Sequence, residues 1–479
     1  MDLIEKAVDR CLLPGFVGTE PPDWILRRAA AGLGGVCLYA RNVSSREQLA
    51  LLTERLHAEN PELIIALDEE GGDVTRLEAA AGSSYPGNLA LGAVDDADLT
   101  RVVARSMGAE LAAAGIDLDL APVADVNSNP INPVIGVRSF GPRPGPVARQ
   151  TAAWIAGLQG AGVAACAKHF PGHGATSLDS HLDLPVVDED PHQGALEPFR
   201  AAIAAGVQAV MSAHIVVPTI DSLPATISAK IMTGLLRDEL GFDGLVVSDG
   251  LEMRAIAGGV GIVDGTVMAL AAGCDLLCIG GGLAGEDIVQ ELREAILSAL
   301  ETGRVSEARL LAAAARVDQL ARWRSRQSAT LTPDPDIGLE AARRALLEDG
   351  SVRVGPNPVV VQLRATASQA AGVVPWGVAG PLSRLGAHVT GIELDRAPEN
   401  LDGVLQSSTG RSLVLVVKNL HRHPWMAALA DELLAKRPDA VTVEMGLPAC
   451  RPAGAAAYIA THGAARVCGI AAAEVLTGK

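Results

Sequence analysis

The sequence predicts an α/β protein in two parts: an N-terminal (β/α)8 barrel of TIM type, then a smaller C-terminal α/β sandwich-like domain. Three observations carry this. Eight short apolar runs alternate with Ala/Leu/Arg-rich segments of helical period up to about residue 325. A Ser/Thr/Pro/Asp-rich stretch, SRQSATLTPDPDIG (325–338), then breaks the rhythm. Beyond it four more apolar runs follow, with helical segments between them.

The eight runs are LLPGFVG (12–18), GGVCLYA (34–40), LIIALDEEG (63–71), IDLDLAPVADV (116–126), VAACAKHF (163–170), AVMSAHIVV (209–217), GLVVSDG (244–250) and CDLLCIGG (274–281). Strands buried on both faces read as continuous apolar runs, as in parallel sheets covered by helices. The helical segments between them include SREQLALLTERLHAE (45–59), GPVARQTAAWIAGLQGAG (145–162) and LEPFRAAIAAG (196–206). A count of eight favours a closed barrel over an open sheet. The catalytic-sized barrel is expected over 1–325, a linker over 326–340 and the second domain over 341–479. In that domain PVVVQLR (358–364), HVTGIEL (388–394), SLVLVVKNL (412–420) and AVTVEMG (440–446) read as strands of an open sheet covered on both faces.

Composition narrows the function classes. The 479 residues hold 39 Lys plus Arg against 56 Asp plus Glu, a net charge of −17. Such a field repels phosphates, which argues against nucleic acid and anionic membranes as partners. No uncharged apolar run is long enough to span a bilayer, and the charges in MDLIEKAVDR leave no apolar core for a signal peptide. A cytoplasmic protein is expected, with a small molecule as its partner; the oligomeric state is not legible. The seven cysteines are scattered through apolar runs and are expected as free buried thiols. Lysine occurs only six times, so a lysine inside a motif stands out.

In a (β/α)8 barrel the chemistry sits at the carboxyl ends of the strands. Several runs end there in polar residues: Asp68, Lys168-His169, Ser212 with His214, and Ser248-Asp249. The segment AKHFPGHGATSLDSHLDLP (167–185) holds three His, one Lys and two Asp. Its residues admit two readings. His169, His173, His181 and Asp179 could ligate a metal. Alternatively, Asp179 two residues before His181 could orient that imidazole as a general acid/base. Asp249, closing the seventh run, could act as a nucleophile or simply cap a helix.

Together, KHFPGHG (168–174) followed by DSH (179–181), and the strand ending SDGLEM (248–253), resemble the family 3 glycoside hydrolases, in their β-N-acetylglucosaminidase branch. The resemblance covers the whole barrel, through GRVSEARLLAAAARVDQL (303–320). It implies a retaining, exo-acting β-N-acetylglucosaminidase with no metal and no cofactor. Asp249 matches the nucleophile, His181 the acid/base and Asp179 its partner. Asp68 and Arg76 in DEEGGDVTRL, Arg138 in NPVIGVRSF, Lys168 and His169 match substrate-binding positions. His214 in MSAHIVVP matches a position lining the same pocket, and Asp125 in APVADV reads as a structural neighbour. The implied alternatives are an N-acetylglucosamine phosphorylase using the same site, or a β-glucosidase. A non-enzymatic sugar-binding module is disfavoured. The sequence departs from the branch at Asp73, where Arg or a similar residue is common, and the residue after Asp249 is Gly250. The second domain shows no catalytic constellation of its own.

Overall fold

The computed structural model describes residues 3–327, 331–364 and 370–479. The chain forms two compact units that interleave in sequence. The first comprises Met1–Glu69, Thr100–Ile135 and Pro142–Asp334; the second comprises Glu70–Leu99, Gly136–Gly141 and Pro335–Lys479.

The first unit is built on eight parallel strands: β1 (Leu12–Pro14), β2 (Gly35–Leu38), β3 (Ile64–Leu67), β4 (Leu118–Asp119), β5 (Ala164–Phe170), β6 (Ala209–Ser212), β7 (Leu245–Val247) and β8 (Leu277–Ile279). Strands β2 to β7 form one curled sheet in chain order. A bridge from Val247 to Leu276 carries β7 on to β8, β8 pairs with β1, and β1 packs beside β2. The close approach at β2 depends on glycine. A Cβ on Gly34 would lie 2.0 Å from the Arg10 carbonyl, and one on Gly35 2.5 Å from that of Ile64. Leu13, Ile64, Ala66, Cys166, Met211 and Val247 are among the side chains of the barrel core, with Val317 and Leu320 of the helix Glu307–Ser325. This is the apolar filling that the continuous runs encode.

Most runs yield a strand shorter than the run itself, and two break within the apolar stretch. The run 116–126 gives only Leu118–Asp119, because Pro122 has no N–H to donate. Its carbonyls still pair: Ala121 accepts from the Cys166 amide at 2.8 Å and Pro122 from that of Lys168 at 3.0 Å. The run 209–217 breaks after Ser212, and Val216–Val217 instead forms a small hairpin with Asp221–Pro224.

The second unit holds a six-stranded sheet of β9 (Leu347–Asp349), β10 (Val359–Leu363), β11 (Thr390–Leu394), β12 (Leu413–Val417), β13 (Val441–Glu444) and β14 (Ala457–Ala460). The order is β9-β14-β13-β12-β10-β11, parallel except for the edge strand β9. Alternate residues serve opposite faces. Val360, Val414, Val416 and Val443 pack against the helix Arg466–Thr477, while Val361, Leu413, Leu415 and Val417 pack against Pro424–Lys436. The stretch predicted as a linker contains the start of the helix Ile337–Arg344; its residues 328–330 lie outside the described residues. All seven cysteines are unpaired; six are buried and Cys450 is exposed. Among the described residues no helix is long and apolar enough to cross a membrane.

Candidate active site

In the first unit, polar side chains follow the carboxyl ends of β3, β5, β6 and β7. Asp68 directly follows β3, and the buried Lys168 of β5 donates from Nζ to Asp68 Oδ1 at 2.7 Å. Behind them Asp119 accepts the Glu69 amide at 2.8 Å. Burial pushes the Asp119 carboxyl well above the usual range, against the pull of that amide and of Lys168. Asp68 is the carboxylate that lysine meets directly.

His169 is the next residue on β5. Its Nδ1 lies 2.8 Å from Oδ2 of Asp125, which is fully buried. A carboxylate can only accept, so Nδ1–H donates and the ring is fixed in orientation. Asp125 also accepts the His173 amide at 2.6 Å. Burial opposes its charge, but the His169 ring and these hydrogen bonds outweigh that and hold the carboxyl low.

The loop after β5 takes the path its glycines allow. Gly172 has φ +129°, and a Cβ on Gly174 would lie 1.8 Å from the Val126 carbonyl. His173 points inward, with Nδ1 2.8 Å from Thr176 Oγ1 and Nε2 3.2 Å from Ser180 Oγ. Further along, His181 Nδ1 lies 2.7 Å from Asp179 Oδ1, and the same oxygen accepts the His181 amide at 3.0 Å. The two-residue spacing thus does bring carboxylate and imidazole together. Burial raises the Asp179 carboxyl, but its bonds to His181 win and hold it below the ordinary value. Of the four residues read as candidate metal ligands, Asp179 and His181 bind each other, while His169 meets Asp125 and His173 meets Thr176 and Ser180. Among the described residues no group of three or more His, Cys, Asp or Glu could hold a metal ion.

Asp249 follows β7 and accepts the Gly250 amide at 2.8 Å. Burial works against its charge; the rings of His214, His169 and His181 and the Gly250 amide more than offset this and hold the carboxyl at about 2. It is therefore an anion across the neutral range. His214 is fully buried, with Nδ1 2.7 Å from Thr226 Oγ1 and Nε2 2.9 Å from the Gly250 carbonyl. A carbonyl can only accept, so Nε2–H donates, and burial favours the neutral ring. Both nitrogens are thus engaged by the protein. His214 meets the turn that follows Asp249.

Arg76 and Arg138 belong to the second unit. Arg138 donates from Nε and Nη2 to the two carboxylate oxygens of Glu70 at 2.9 and 2.7 Å, the fork geometry that makes Arg–carboxylate pairs strong. Arg76 Nη2 donates to the Ala370 carbonyl at 3.1 Å. Sequence reasoning singled out neither Glu70 as the partner of Arg138 nor Thr226 as that of His214. Glu70 sits in the same acidic run as Asp68, which was a usable signal; Thr226 offered none.

The buried His173 gives a pH-dependent expectation. Burial pulls its ring down to about 4, whereas an unfolded histidine titrates near about 6.5. Below that value the unfolded chain takes up a proton that the folded one refuses. Stability therefore falls as pH drops from about 6.5 to about 4, by about 3 kcal/mol from this group. Thermal midpoints across that window should fall in the wild type and fall less steeply in His173→Gln.

The chain matches the model of the glycosyl hydrolase family 3 N terminal domain over residues 25–320. It is 34% identical over 386 residues to beta-hexosaminidase A of Pseudoalteromonas piscicida, covering 72% of this chain and 64% of that protein. The chain thus spans less than two thirds of that relative. It is 41% identical over 259 residues to a beta-hexosaminidase of Alkalilimnicola ehrlichii, covering 52% of this chain and 73% of the relative. Among solved structures it is similar to a glycoside hydrolase family 3 beta-N-acetylglucosaminidase from Paenibacillus sp. str. FPU-7. That match has a TM-score of 0.90 and 34% identity, over 100% of this chain and 97% of the other.

Proposed function

The chain belongs to glycosyl hydrolase family 3, and from that membership we propose that it is a retaining, exo-acting β-N-acetylglucosaminidase. The observation that carries the mechanism is an Asp249 carboxylate held at about 2, in part by the charge of a His181 ring that Asp179 orients at 2.7 Å. The relatives named beta-hexosaminidase support the choice of sugar.

The steps follow from these groups. An Asp249 oxygen attacks the anomeric carbon as the bond to the leaving oxygen breaks, and His181 Nε2 gives that oxygen its proton. A glycosyl ester on Asp249 results. Water then attacks the same carbon, His181 takes the water's proton, and Asp249 leaves as the carboxylate. Asp179 accepts from Nδ1–H, which fixes the tautomer and stabilises the imidazolium. Asp68, Lys168 and His169 hydrogen-bond sugar hydroxyls, with Arg76 and Arg138 as further sugar-binding residues. His214 acts through Gly250, by holding the turn that carries the nucleophile.

One observation favours a second reading, transfer of the sugar to phosphate. The proposed acid/base group is an imidazole in place of a carboxylate, which leaves one negative charge fewer to repel an incoming anion. Release of nitrophenol from 4-nitrophenyl β-N-acetylglucosaminide, beside the β-glucoside and with or without phosphate, separates the readings. Turnover of the N-acetyl compound in preference to the glucoside, without phosphate, is expected. Turnover that requires phosphate and yields the sugar 1-phosphate would make the enzyme a phosphorylase, and preference for the glucoside would overturn the sugar assignment.

A further inference from the structure

The second unit has a feature that the proposed chemistry does not use. In open α/β sheets, ligands bind at the carboxyl ends of the strands where the strand order reverses. Here that point lies at β10, flanked by β11 on one side and β12 on the other. The crevice is taken by the chain's own segment after β3. Lys418 directly follows β12, and its Nζ lies 2.6 Å from Asp73 Oδ2 and 5.5 Å from the centre of the Trp376 ring. The other Asp73 oxygen accepts the Ala464 amide at 2.8 Å. Asp73 is nearly buried and Lys418 about a fifth exposed, so water screens the pair little.

Asp73 sits in a tight turn. The Glu70 amide donates to the Val74 carbonyl at 3.1 Å, and that of Gly72 to the Tyr85 carbonyl at 2.9 Å. Glu70 holds Arg138, and Arg76 follows three residues after Asp73. Glu70, Asp73, Asn88, Arg138 and Gly463 line one crevice. Asp73 and Glu70 share the turn that the Glu70–Val74 hydrogen bond closes, so a shift of Asp73 is passed along it to Glu70 and on to Arg138.

We propose that Lys418 is a positioning residue for sugar binding: by holding Asp73 it fixes the turn 70–76 that aims Arg76 and, through Glu70, Arg138. This rests on the assignment of those two arginines to the substrate. It gives the C-terminal sheet a part in affinity although it carries no reacting group. A neighbouring anchor keeps the test interpretable. Arg466 binds Glu78 at 3.1 Å and the Gly82 carbonyl at 3.1 Å, and so holds residues 78–84 without Lys418.

The test is steady-state kinetics on 4-nitrophenyl β-N-acetylglucosaminide with thermal midpoints alongside. Both arginines grip the sugar before and during reaction, so their misplacement costs uniform binding. Lys418→Met is expected to raise KM about tenfold with kcat within about twofold, Lys418→Arg to recover most of the loss, and Asp73→Asn to reproduce it. A merely structural lysine would lower the midpoint and leave KM alone. Active wild type with an unchanged KM in Lys418→Met overturns the inference and leaves the enzyme assignment standing. If Lys418→Met fails to fold, Asp73→Asn decides by the same criterion. A folded wild type with no turnover overturns both.

Discussion

Replacing Asp249 with alanine is expected to lower kcat on any N-acetylglucosaminide by about 10⁴-fold or more, with the protein still folded. The size follows from what is removed. The carboxylate is held at about 2, so at neutral pH it is fully ionised and unprotonated at the moment of attack. In the proposed mechanism the glycosyl ester forms on Asp249, and losing that nucleophile would collapse the whole sequence of steps. The side chain's hydrogen bond to the Gly250 amide is local, and β7 is held independently, with Ser248 Oγ accepting the Cys278 amide at 2.9 Å. Asp249→Asn, nearly identical in shape but neutral, should be as inactive. Loss of less than about tenfold in either variant would mean that another group reacts.

Replacing His181 with alanine is expected to act selectively. A leaving group that is a poor base, such as nitrophenolate, departs with little proton donation; a sugar hydroxyl does not. On an unactivated disaccharide, loss of the acid should cost about 10² to 10⁴-fold in kcat/KM, while kcat/KM for the nitrophenyl glycoside falls less than about tenfold. Asp179→Asn keeps a side chain of the same shape but removes the charge that steadies the imidazolium, and should show the same selectivity to a smaller degree. Equal loss on both substrates would remove His181 from the acid role. Measuring both substrates in one variant separates acid catalysis from a general disturbance of the 167–185 loop.

These two residues show what the sequence made readable. Asp179 and His181 are two residues apart, so a loop needs only a local turn to join them, and spacing was informative. Asp249 ends a continuous apolar run, the mark of a parallel strand and of the end at which such barrels work. The strands were legible for the same reason, and one of the two runs that break shows where this stops. The run 116–126 is apolar enough for a long strand, but Pro122 cannot donate to the ladder, so regular pairing stops at Asp119.

What the sequence did not reveal depends on contacts between distant residues. Lys418 and Asp73, or Arg138 and Glu70, share no period or motif; the fold alone brings each pair together. The nitrogens of His214 are engaged by Thr226, twelve residues on, and by a backbone carbonyl, which has no sequence signature at all. The membership of 70–99 and 136–141 in the second unit was equally hidden, since nothing in their composition separates them from the barrel runs beside them.

The most direct test of the central claim uses the His181→Ala variant as a trap. With an activated nitrophenyl glycoside the first step proceeds without the acid, whereas the second step lacks its base and slows. Intact-mass measurement during turnover should then show protein carrying one N-acetylglucosaminyl group, and peptide mapping should place it on Asp249. An adduct on another residue, or none while nitrophenol is released in a burst, would contradict a covalent mechanism through Asp249.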